Sequence, residues 1–353
     1  MMKQFNIADD TITTQITVTN GFFDGGVGTL AGSNFATSSL SATQKSYYYN
    51  LQYNSKDHFS VTYGHIGGSG SAIQNATTEG TTQAIYKQFY NFTEPKGENI
   101  RDILGWTMVD GTNSTNAVSQ SDVYIIAAER LQMKDRLNPG TWTMTLSGSN
   151  TVGIGASLVL TDDSKTIDAE SAPFGPRYNI VSGSAGTAIV AAATKTYGFF
   201  YPDAGLMVLS ANAVSGSLPG TPGYILSGSG HTDSIGPGLA PDTRVADAVD
   251  NANKIALALQ KGSVTIRSEE QQYIYDYFCR ARTNEFNLSQ NLSFWSGSTY
   301  EIRHSDMVTN PQVYISEVGL YDNQASLVAV GRLSSPINKN YSSEAIVKVR
   351  LTY

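Results

Sequence analysis

The stretch Val313–Leu333 constrains the fold of this chain more than any other part of the sequence. It consists of VYISEVGLYDNQASLVAVGRL, in which two runs of β-branched and apolar residues flank the turn-forming residues Asp322–Gln324. This order predicts a β-hairpin. The return arm, Leu327–Leu333, begins with apolar residues that point to both faces of a strand. We therefore expect the hairpin to be buried inside a sandwich or a stack of sheets.

The last apolar run, Ala345–Leu351, has a different pattern from the hairpin. Its odd-numbered positions are apolar, whereas Lys348 and Arg350 lie between them. This alternation predicts a strand with one buried and one solvated face. Pro336 and the polar residues Asn338–Asn340 predict a loop between this strand and the hairpin.

Similar runs, rich in β-branched and aromatic residues, occur along the whole chain and are separated by Gly, Pro, Asn and Ser. The predicted strands are Thr11–Thr19, Tyr47–Tyr53, His58–Tyr63, Val123–Ala128, Trp142–Leu146, Ser157–Leu160, Tyr178–Gly183, Tyr197–Leu209 with a break at Pro202-Asp203, and Tyr273–Arg282. For Tyr273–Arg282 a helix begun by a capping box at Ser268 and Gln271 is the alternative. Trp142 follows Pro139-Gly140, which predicts a tight turn into an edge strand.

Few segments have helical spacing. Thr82–Phe92 is predicted as a short helix from its spaced residues Ala84, Ile85, Gln88, Phe89 and Phe92. Thr243–Gln260 carries the clearest apolar stripe, formed by Val245, Val249, Ala252, Ile255, Ala256 and Leu259, and Gly262 is expected to end it. Leu131–Leu137 is predicted as a turn or short helix.

These patterns predict a mainly β protein made of several β-sandwich-like modules, with a few short helices and long arms rich in Gly, Pro and Ser. The predicted segments are an N-terminal arm (1–40), a β-rich domain (41–150), a middle β region with a long loop and a helix (151–262), and a C-terminal sandwich-like module (263–353). Gly216–Pro241 is expected to be a surface loop or a partner-bound arm. Phe22, Phe23 and Leu30 either anchor the N-terminal arm on a partner subunit or pack on their own domain.

Two motifs carry a resemblance to a known family. The first, YISEVGLYD followed by LVAVGRL, is matched at Glu317, Gly319, Leu320, Tyr321 and Asp322, and also at Ala329, Val330 and Gly331. The second, RLQMKDRLNPGTW, is matched at Lys134, Asp135, Arg136, Pro139, Gly140 and Trp142, and also at Arg130 and Leu137. In these motifs, and in the phrases LTDDS, YNIVSGS and YGFFYPDAG, the chain resembles structural baseplate and tail proteins of contractile-tailed bacteriophages of the cyanophage myovirus type. The C-terminal hairpin is more loosely similar to tail-collar fibre proteins.

The resemblance implies a virion protein of the tail baseplate, assembled in the cytoplasm of the bacterial host, which connects neighbouring subunits or fibres. Its implied partners are other tail and baseplate proteins and copies of itself. A receptor-binding tail fibre or tail-tip protein that recognises host surface glycan is the alternative, and a neck or capsid decoration protein is a further one.

Charge and composition exclude several function classes. The chain of 353 residues has a formal net charge of −7, which argues against nucleic-acid binding, since that affinity depends on Lys and Arg at phosphates. No apolar run reaches the roughly 18 residues of a membrane span. The N-terminal MMKQFNIADD lacks the apolar region of a secretory signal. Cys279 is the single cysteine, so neither an intrachain disulfide nor a thiolate metal cage is expected.

No catalytic constellation can be assembled from the sequence, so we expect a non-enzymatic protein without catalytic, cofactor-binding or metal-binding residues. His58, His65, His231 and His304 lack metal-ligand spacing and are expected to be solvated. The Gly-rich stretches 64–71 and 227–238 have no GK[ST] ending, and GxSxG does not occur. Asp162-Asp163 is expected to form a turn, and Cys279 is expected to be a small buried side chain.

Tyrosine is the one abundant functional residue type, with 20 copies. Tyr is favoured at surfaces that are partly apolar and partly wet, as in subunit interfaces. The same rings stack on sugars, which keeps contact with host glycan as the alternative.

Overall fold

The computed structural model describes residues 3–32, 48–66, 82–95, 105–109, 117–147, 157–214, 217, 247–289, 291–297, 299 and 301–353. The protein is mainly β, with 53% strand and 16% helix. This confirms the predicted fold class and its few short helices. Apart from Ser217, the predicted arm Gly216–Pro241 lies outside the described residues, as does His231.

The strands alternate with tight turns over most of the described chain. In chain order they are β1 (Thr11–Gly25), β2 (Ala31–Gly32), β3 (Tyr48–Tyr53), β4 (Lys56–His65), β5 (Trp106–Val109), β6 (Ala117–Gln120), β7 (Asp122–Ala128), β8 (Arg136–Leu137), β9 (Thr143–Ser147), β10 (Ser157–Asp162), β11 (Glu170–Ala172), β12 (Gly175–Ser184), β13 (Thr187–Ala188), β14 (Gly198–Tyr201), β15 (Leu206–Ser210), β16 (Ser263–Ala281), β17 (Val313–Tyr321), β18 (Leu327–Lys339) and β19 (Ala345–Thr352). The helices are α1 (Ile7–Asp10), α2 (Thr82–Thr93), α3 (Arg130–Met133), α4 (Ala211–Val214), α5 (Asp247–Lys261) and α6 (Asp306–Thr309), with a 3-10 turn at Leu292–Phe294.

The chain divides into two compact units. The first comprises Met1–Val18 and Gln271–Tyr353, and the second is Thr19–Glu270. The four segments expected from the sequence group the chain differently. Their boundary at residue 150 lies within the second unit, where β9 pairs directly with β10. Their boundary at residue 262 precedes the division of the chain at Glu270, which falls inside β16.

The second unit is built on one antiparallel sheet. From the start of β16 its strand order is β16-β9-β10-β12-β14-β15-β7-β4-β3-β2. The expectation that the strand after Pro139-Gly140 lies at an edge is wrong. Thr145 of β9 pairs with Val159 on one side and with Ser263 on the other, so both of its ladders are occupied and β9 is an interior strand.

The sheet of the second unit is covered on both faces near its centre. In β7, Tyr124 and Ile126 join a buried cluster that contains residues of α5. Val123 and Ile125 join the opposite cluster, which contains Tyr residues of α2. Because successive strand residues point to opposite faces, two-sided burial requires a continuous apolar run. This explains why β7 and β15 lack polar residues at alternate positions.

Helix α5 confirms the predicted stripe over its described part. Ala252, Ile255, Ala256 and Leu259 are buried, while residues 243–246 lie outside the described chain. Gly262 follows the helix, and a Cβ there would meet the Thr145 carbonyl oxygen at 1.7 Å.

Helix α2 is also present as predicted, but the expected stripe includes only part of its buried face. Tyr86 and Tyr90 are buried, and their rings lie 4.8 Å and 5.2 Å from that of Trp106. The expected stripe included Phe92, which is exposed. The other large apolar residues of the stripe are half-buried against the same cluster as the tyrosines. The hydroxyl groups of the tyrosines kept these two residues out of the apolar periodicity.

The part of the N-terminal arm that follows Val18 packs on its own unit. Phe22 and Phe23 belong to β1, and both rings lie 5.6 Å from the ring of Phe59. Leu30 is buried in the same cluster. These contacts favour packing on the same unit over anchoring on a partner. Residues 33–40 of the expected arm lie outside the described chain.

In the first unit, the end of β16 pairs with β19 over eight residues, from Ile274↔Thr352 to Ala281↔Ala345. This confirms a strand over the Tyr-rich segment and excludes the helical alternative. It also confirms the half-buried pattern of β19, in which Ala345 is buried and Ile346 is exposed.

Strands β17 and β18 confirm the predicted hairpin. The hairpin is not enclosed, however, and its burial was predicted wrongly: most of its side chains are half-buried or exposed. Pro336 lies within β18 instead of in a loop. The strand continues to Lys339, whose buried ammonium group donates to Asn287 Oδ1 at 2.7 Å and to the Thr283 carbonyl oxygen at 3.2 Å. These bonds replace the hydration that the buried ammonium loses.

Candidate assembly surface

The β17–β18 hairpin has one half-covered face and one open face. On the covered side Leu320 is buried, and its cross-strand neighbour Ala329 is half-buried. A Cβ on Gly331 would lie 4.0 Å from Val349 Cγ2 of β19. The open side carries large apolar side chains. Among the described residues, β17 and β18 pair only with each other. The exposure of the large side chains shows that this face is open.

We define the outer face of the hairpin as the open side that carries Tyr314, Glu317, Gly319, Tyr321, Leu327, Val330 and Arg332. Directly opposite residues in an antiparallel pair share a face, and three such pairs are Glu317↔Arg332, Gly319↔Val330 and Tyr321↔Leu327. Tyr314 is 62% exposed, Val330 56%, Leu327 53% and Tyr321 48%. Contiguous apolar exposure of this kind is typical of interaction sites and unusual elsewhere on a folded protein.

The absence of a side chain at Gly319 leaves space that the side chains of Tyr321 and Leu327 occupy. A Cβ at this position would stand 3.0 Å from Tyr321 Cε2 and 3.2 Å from Leu327 Cδ1. The two side chains therefore lie above a residue without a side chain. Together with Val330, which lies opposite Gly319 on β18, they form one continuous apolar surface.

The charges on the outer face form a single pair. Arg332 Nε donates to Glu317 Oε1 at 2.8 Å, and both side chains are well exposed. They are the only charged residues among those of the outer face. An exposed pair of this kind contributes about 0–1 kcal/mol to folding, so stability alone gives little reason for its presence.

Asp322 shapes the turn of the hairpin. Its Oδ1 accepts hydrogen bonds from the backbone N–H groups of Gln324 at 2.9 Å and Ser326 at 2.7 Å. Ala325 adopts a positive φ of 63° in the same turn. Asp side chains favour such turns because they bond the backbone two to four residues further on.

The second motif, around Lys134–Trp142, lies in the second unit and has mainly structural contacts. Arg136 forms an ion pair with Glu269 and lies 3.6 Å from Asp203 Oδ1. Lys134 lies 3.6 Å from Glu270, and Asp135 is exposed. These contacts join the α3–β8 segment to β16 within the unit.

The Pro139-Gly140 turn of this motif is fixed by close backbone packing. Gly140 has φ +73°, and its N–H donates to Asp162 Oδ2 at 2.8 Å. A Cβ on Gly186 would stand 2.6 Å from the Gly140 Cα. Trp142 follows and is buried, with its ring 5.6 Å from that of Phe200.

The two acidic residues of the predicted Asp162-Asp163 turn form hydrogen bonds that stabilise the fold. Burial raises the pKa of both Asp162 and Asp163. Asp162 accepts from Gly140, whereas Asp163 accepts from the Asn179 N–H at 3.0 Å and from Asn179 Nδ2 at 2.8 Å. The Asp163 carbonyl oxygen also accepts from the Thr166 N–H at 2.9 Å, which confirms the predicted turn.

Two of the three described histidines differ from the solvated side chains that were expected. His58 and His65 belong to β4 and are buried. His65 Nε2 lies 3.4 Å from Asp122 Oδ1, while His58 lies among the aromatic rings of Phe22 and Phe23. His304 is exposed. His58 and His65 are buried because β4 is covered on both faces. The polar residues in its sequence gave no sign of this two-sided burial.

The described residues contain no group of three or more His, Cys, Asp or Glu side chains placed to hold a metal ion. Cys279 is half-buried, and burial raises the pKa of its thiol. This keeps the side chain in the thiol form, which is a poor nucleophile.

The tyrosines are divided between core and surface. Tyr63, Tyr86, Tyr90, Tyr124 and Tyr201 are buried in the second unit. In the first unit, Tyr273, Tyr275 and Tyr277 follow one face of β16. The ring of Tyr275 lies 6.4 Å from that of Tyr277 and 5.7 Å from that of the exposed Tyr353.

Sequence reasoning found Glu317, Gly319 and Tyr321 but missed Tyr314, Arg332 and the exposure of Val330. Register shifts between Ile315 and Glu317 and between Leu320 and Tyr321 explain why Tyr314 and Arg332 were missed, whereas the exposure of Val330 depends on which distant residues cover the hairpin. A β-bulge changes which residues share a face. Counting back from the turn therefore does not place Arg332 opposite Glu317.

Comparison of the chain with protein-family models, with curated proteins and with solved structures finds no match. Within the part of the chain that the structure describes, no helix has the length and apolar character needed to cross a membrane.

Proposed function

We propose that this protein is a structural component of a bacteriophage virion, a tail baseplate protein that connects neighbouring subunits or fibres through the outer face of its C-terminal hairpin. The observation that supports this proposal is that residues of the resembling motif lie on the exposed apolar face of the hairpin. Glu317, Gly319 and Tyr321, which carry the family resemblance, lie on a face whose apolar side chains are exposed. The placement in a phage tail rests on the resemblance alone.

The exposed apolar side chains of the outer face favour an assembly role, because covering them lowers the free energy. Burying apolar surface contributes about 25 cal/mol per Å², and Tyr321, Leu327 and Val330 leave such surface in water. Aromatic and apolar side chains with few charges are typical of the cores of subunit interfaces. A protein that covers this face would therefore gain free energy that the isolated chain does not have.

The proposal includes no catalytic activity and no nucleic-acid partner. The carboxylates of Asp162 and Asp163 accept hydrogen bonds from the backbone of the fold, and the net charge of −7 opposes binding to phosphates. The proposed partners are other tail and baseplate proteins, and the proposed location is the virion, after assembly in the host cytoplasm.

The test is incorporation into particles. A phage that encodes this chain is produced with a tagged copy, and purified virions are analysed by mass spectrometry and by electron microscopy of the labelled tag. We expect the chain in the tail baseplate. Val330→Ser should reduce incorporation, whereas Tyr341→Ser, at an exposed residue outside the hairpin, should leave it unchanged. Absence of the chain from virions, or a label on the head, would contradict the proposal.

The tyrosine row of β16 favours a second candidate, contact with host surface glycan. Tyr275, Tyr277 and Tyr353 present neighbouring rings, and aromatic rings in such rows can stack on sugar faces. A receptor-binding protein would bind host cells and block phage adsorption as an isolated chain. Inhibition that is lost on Tyr353→Ser and kept on Val330→Ser would favour this candidate over the baseplate role.

A further inference from the structure

We propose that the occupant of the outer face is a second copy of this chain, bound face to face about a two-fold axis that runs between β17 and β18, parallel to the strands. This inference rests on the proposed function in one respect, namely that the outer face is an interface. It adds the identity of the partner and the pairing of residues across the contact.

The charged residues of the outer face fit a two-fold axis. Glu317 and Arg332 are directly opposite each other on neighbouring strands, and their side chains are joined by the 2.8 Å hydrogen bond. A two-fold axis between the strands exchanges the two positions. Glu317 of one copy then faces Arg332 of the other, and the reverse contact is made at the same time. The face is therefore complementary in charge to itself, as an isologous interface requires.

The apolar residues of the outer face are also arranged in pairs that the two-fold axis exchanges. The pairs Gly319↔Val330 and Tyr321↔Leu327 are also directly opposite within one hairpin. The same axis places Val330 of one copy over Gly319 of the other, where the Tyr321 and Leu327 side chains lie above the backbone and present an apolar surface. It also places Tyr321 against Leu327. Each protruding apolar side chain therefore meets apolar side chains of the other copy.

Net charge favours this particular face for self-association. Two copies of a chain with a net charge of −7 repel each other in most orientations. The outer face contains one negative and one positive side chain, so its own net charge is zero. Contact at this face therefore brings no excess of negative charge together at the interface, whereas a strongly charged partner would find no matching charge there.

The test uses charge reversal in the full-length chain, followed by sedimentation equilibrium over a wide concentration range. Wild type should be dimeric at high concentration. Glu317→Arg and Arg332→Glu should each raise the dissociation constant at least about 10-fold, because like charges then face each other.

An equimolar mixture of the two variants should associate again. The Glu317→Arg variant carries two positive side chains at these positions and the Arg332→Glu variant two negative ones, so opposite charges face each other only in the mixed dimer. Glu301→Arg, at an exposed residue outside the hairpin, makes the same charge change as Glu317→Arg and should leave the dissociation constant unchanged.

Thermal melting separates loss of association from loss of folding. Because the Glu317–Arg332 pair is exposed, both variants should melt within a few degrees of wild type. A monomeric wild type, or a mixture that stays monomeric, would overturn this inference. If such a monomer still entered the virion, the proposed function would stand and the partner would be another tail protein. A dimer that is restored in the mixture but absent from virions would support the pairing and contradict the proposed function.

Discussion

The ring of Tyr321 lies so close to the backbone of Gly319 that a Cβ on the glycine would stand 3.0 Å from Tyr321 Cε2. Gly319 therefore has a steric role at the surface, although its strand position does not require a positive φ. Few Cβ atoms have a neighbour this close, so a side chain at residue 319 must displace the ring. The arrangement links one glycine of the motif to the shape of the whole outer face.

Gly319→Ala should move the Tyr321 ring and weaken self-association while changing the free energy of unfolding by less than about 1 kcal/mol. Ring displacement can be measured from the chemical shifts of Tyr321, and association from sedimentation. The control is Gly331→Ala, where a Cβ would have its nearest neighbours at an ordinary 3.9 Å and 4.0 Å. Equal effects of the two substitutions would show that Gly319 has no special role.

The two sides of the hairpin should respond in opposite ways to an introduced charge. Leu320 is 7% exposed and Val330 is 56% exposed. Leu320→Asp places a carboxylate among apolar side chains, which costs several kcal/mol, and should unfold the first unit at lower urea concentration. Val330→Asp leaves its charge in water and should change stability by about 0.5 kcal/mol or less, but it should prevent self-association. A large loss of stability on Val330→Asp would mean that the outer face is covered in the monomer.

Strand existence could be predicted from this sequence because the local signals are strong. The break at Pro202-Asp203 and the alternation in Ala345–Leu351 are both present in the structure. Each signal depends on residues within a few positions of one another. For such segments tertiary context agrees with local preference.

Coverage of the strands could not be predicted, since it depends on residues far away in the chain. Leu327–Val330 and Val123–Ala128 are both continuous apolar runs, yet the second is buried and the first is largely exposed. The difference is that helices and neighbouring strands cover β7 on both faces. An apolar run therefore indicates that a face is to be covered, but it does not indicate whether the same chain or a partner covers it.

The buried ion pair of the second unit should contribute more to stability than its exposed neighbour. Arg177 Nη1 lies 2.8 Å from both Glu94 carboxylate oxygens, and Arg177 also forms an ion pair with the exposed Glu170. Tyr201 donates to Glu94 and accepts from Trp106 Nε1 at 3.2 Å. Burial, followed by the negative charge of Glu94, raises the pKa of Tyr201.

Glu94→Gln should lower the free energy of unfolding by about 3 kcal/mol, because Arg177 then loses its buried counter-charge. Glu170→Gln removes the same charge from the exposed partner and should cost less than about 1 kcal/mol. Urea unfolding of the two variants measures the difference. Similar losses from both substitutions would contradict the assignment of Glu94 as the buried partner.

The stability of the first unit in acid should depend on Asp276. Asp276 accepts from Arg350 at 2.8 Å and 3.0 Å, and Lys348 Nζ lies 2.7 Å from Asp276 Oδ2. Hydrogen bonds from Arg350 and then Lys348 hold the pKa of Asp276 well below its usual value. A carboxylate whose pKa is lower in the folded state stabilises the fold above its unfolded pKa of about 3.9. This stabilisation is lost as the pH falls through the folded-state value.

Asp276→Asn should therefore reduce the free energy of unfolding at pH 7, and the gap to wild type should narrow as the pH is lowered below about 4. Arg350→Met, made in a chain that keeps Asp276, removes the largest cause of the pKa shift. The stabilisation by the Asp276 carboxylate should then be lost at a higher pH than in wild type. Urea unfolding at a series of pH values measures both effects. A gap between wild type and Asp276→Asn that stays constant as the pH falls to about 3 would show that the Asp276 carboxylate is not held ionised by Arg350 and Lys348.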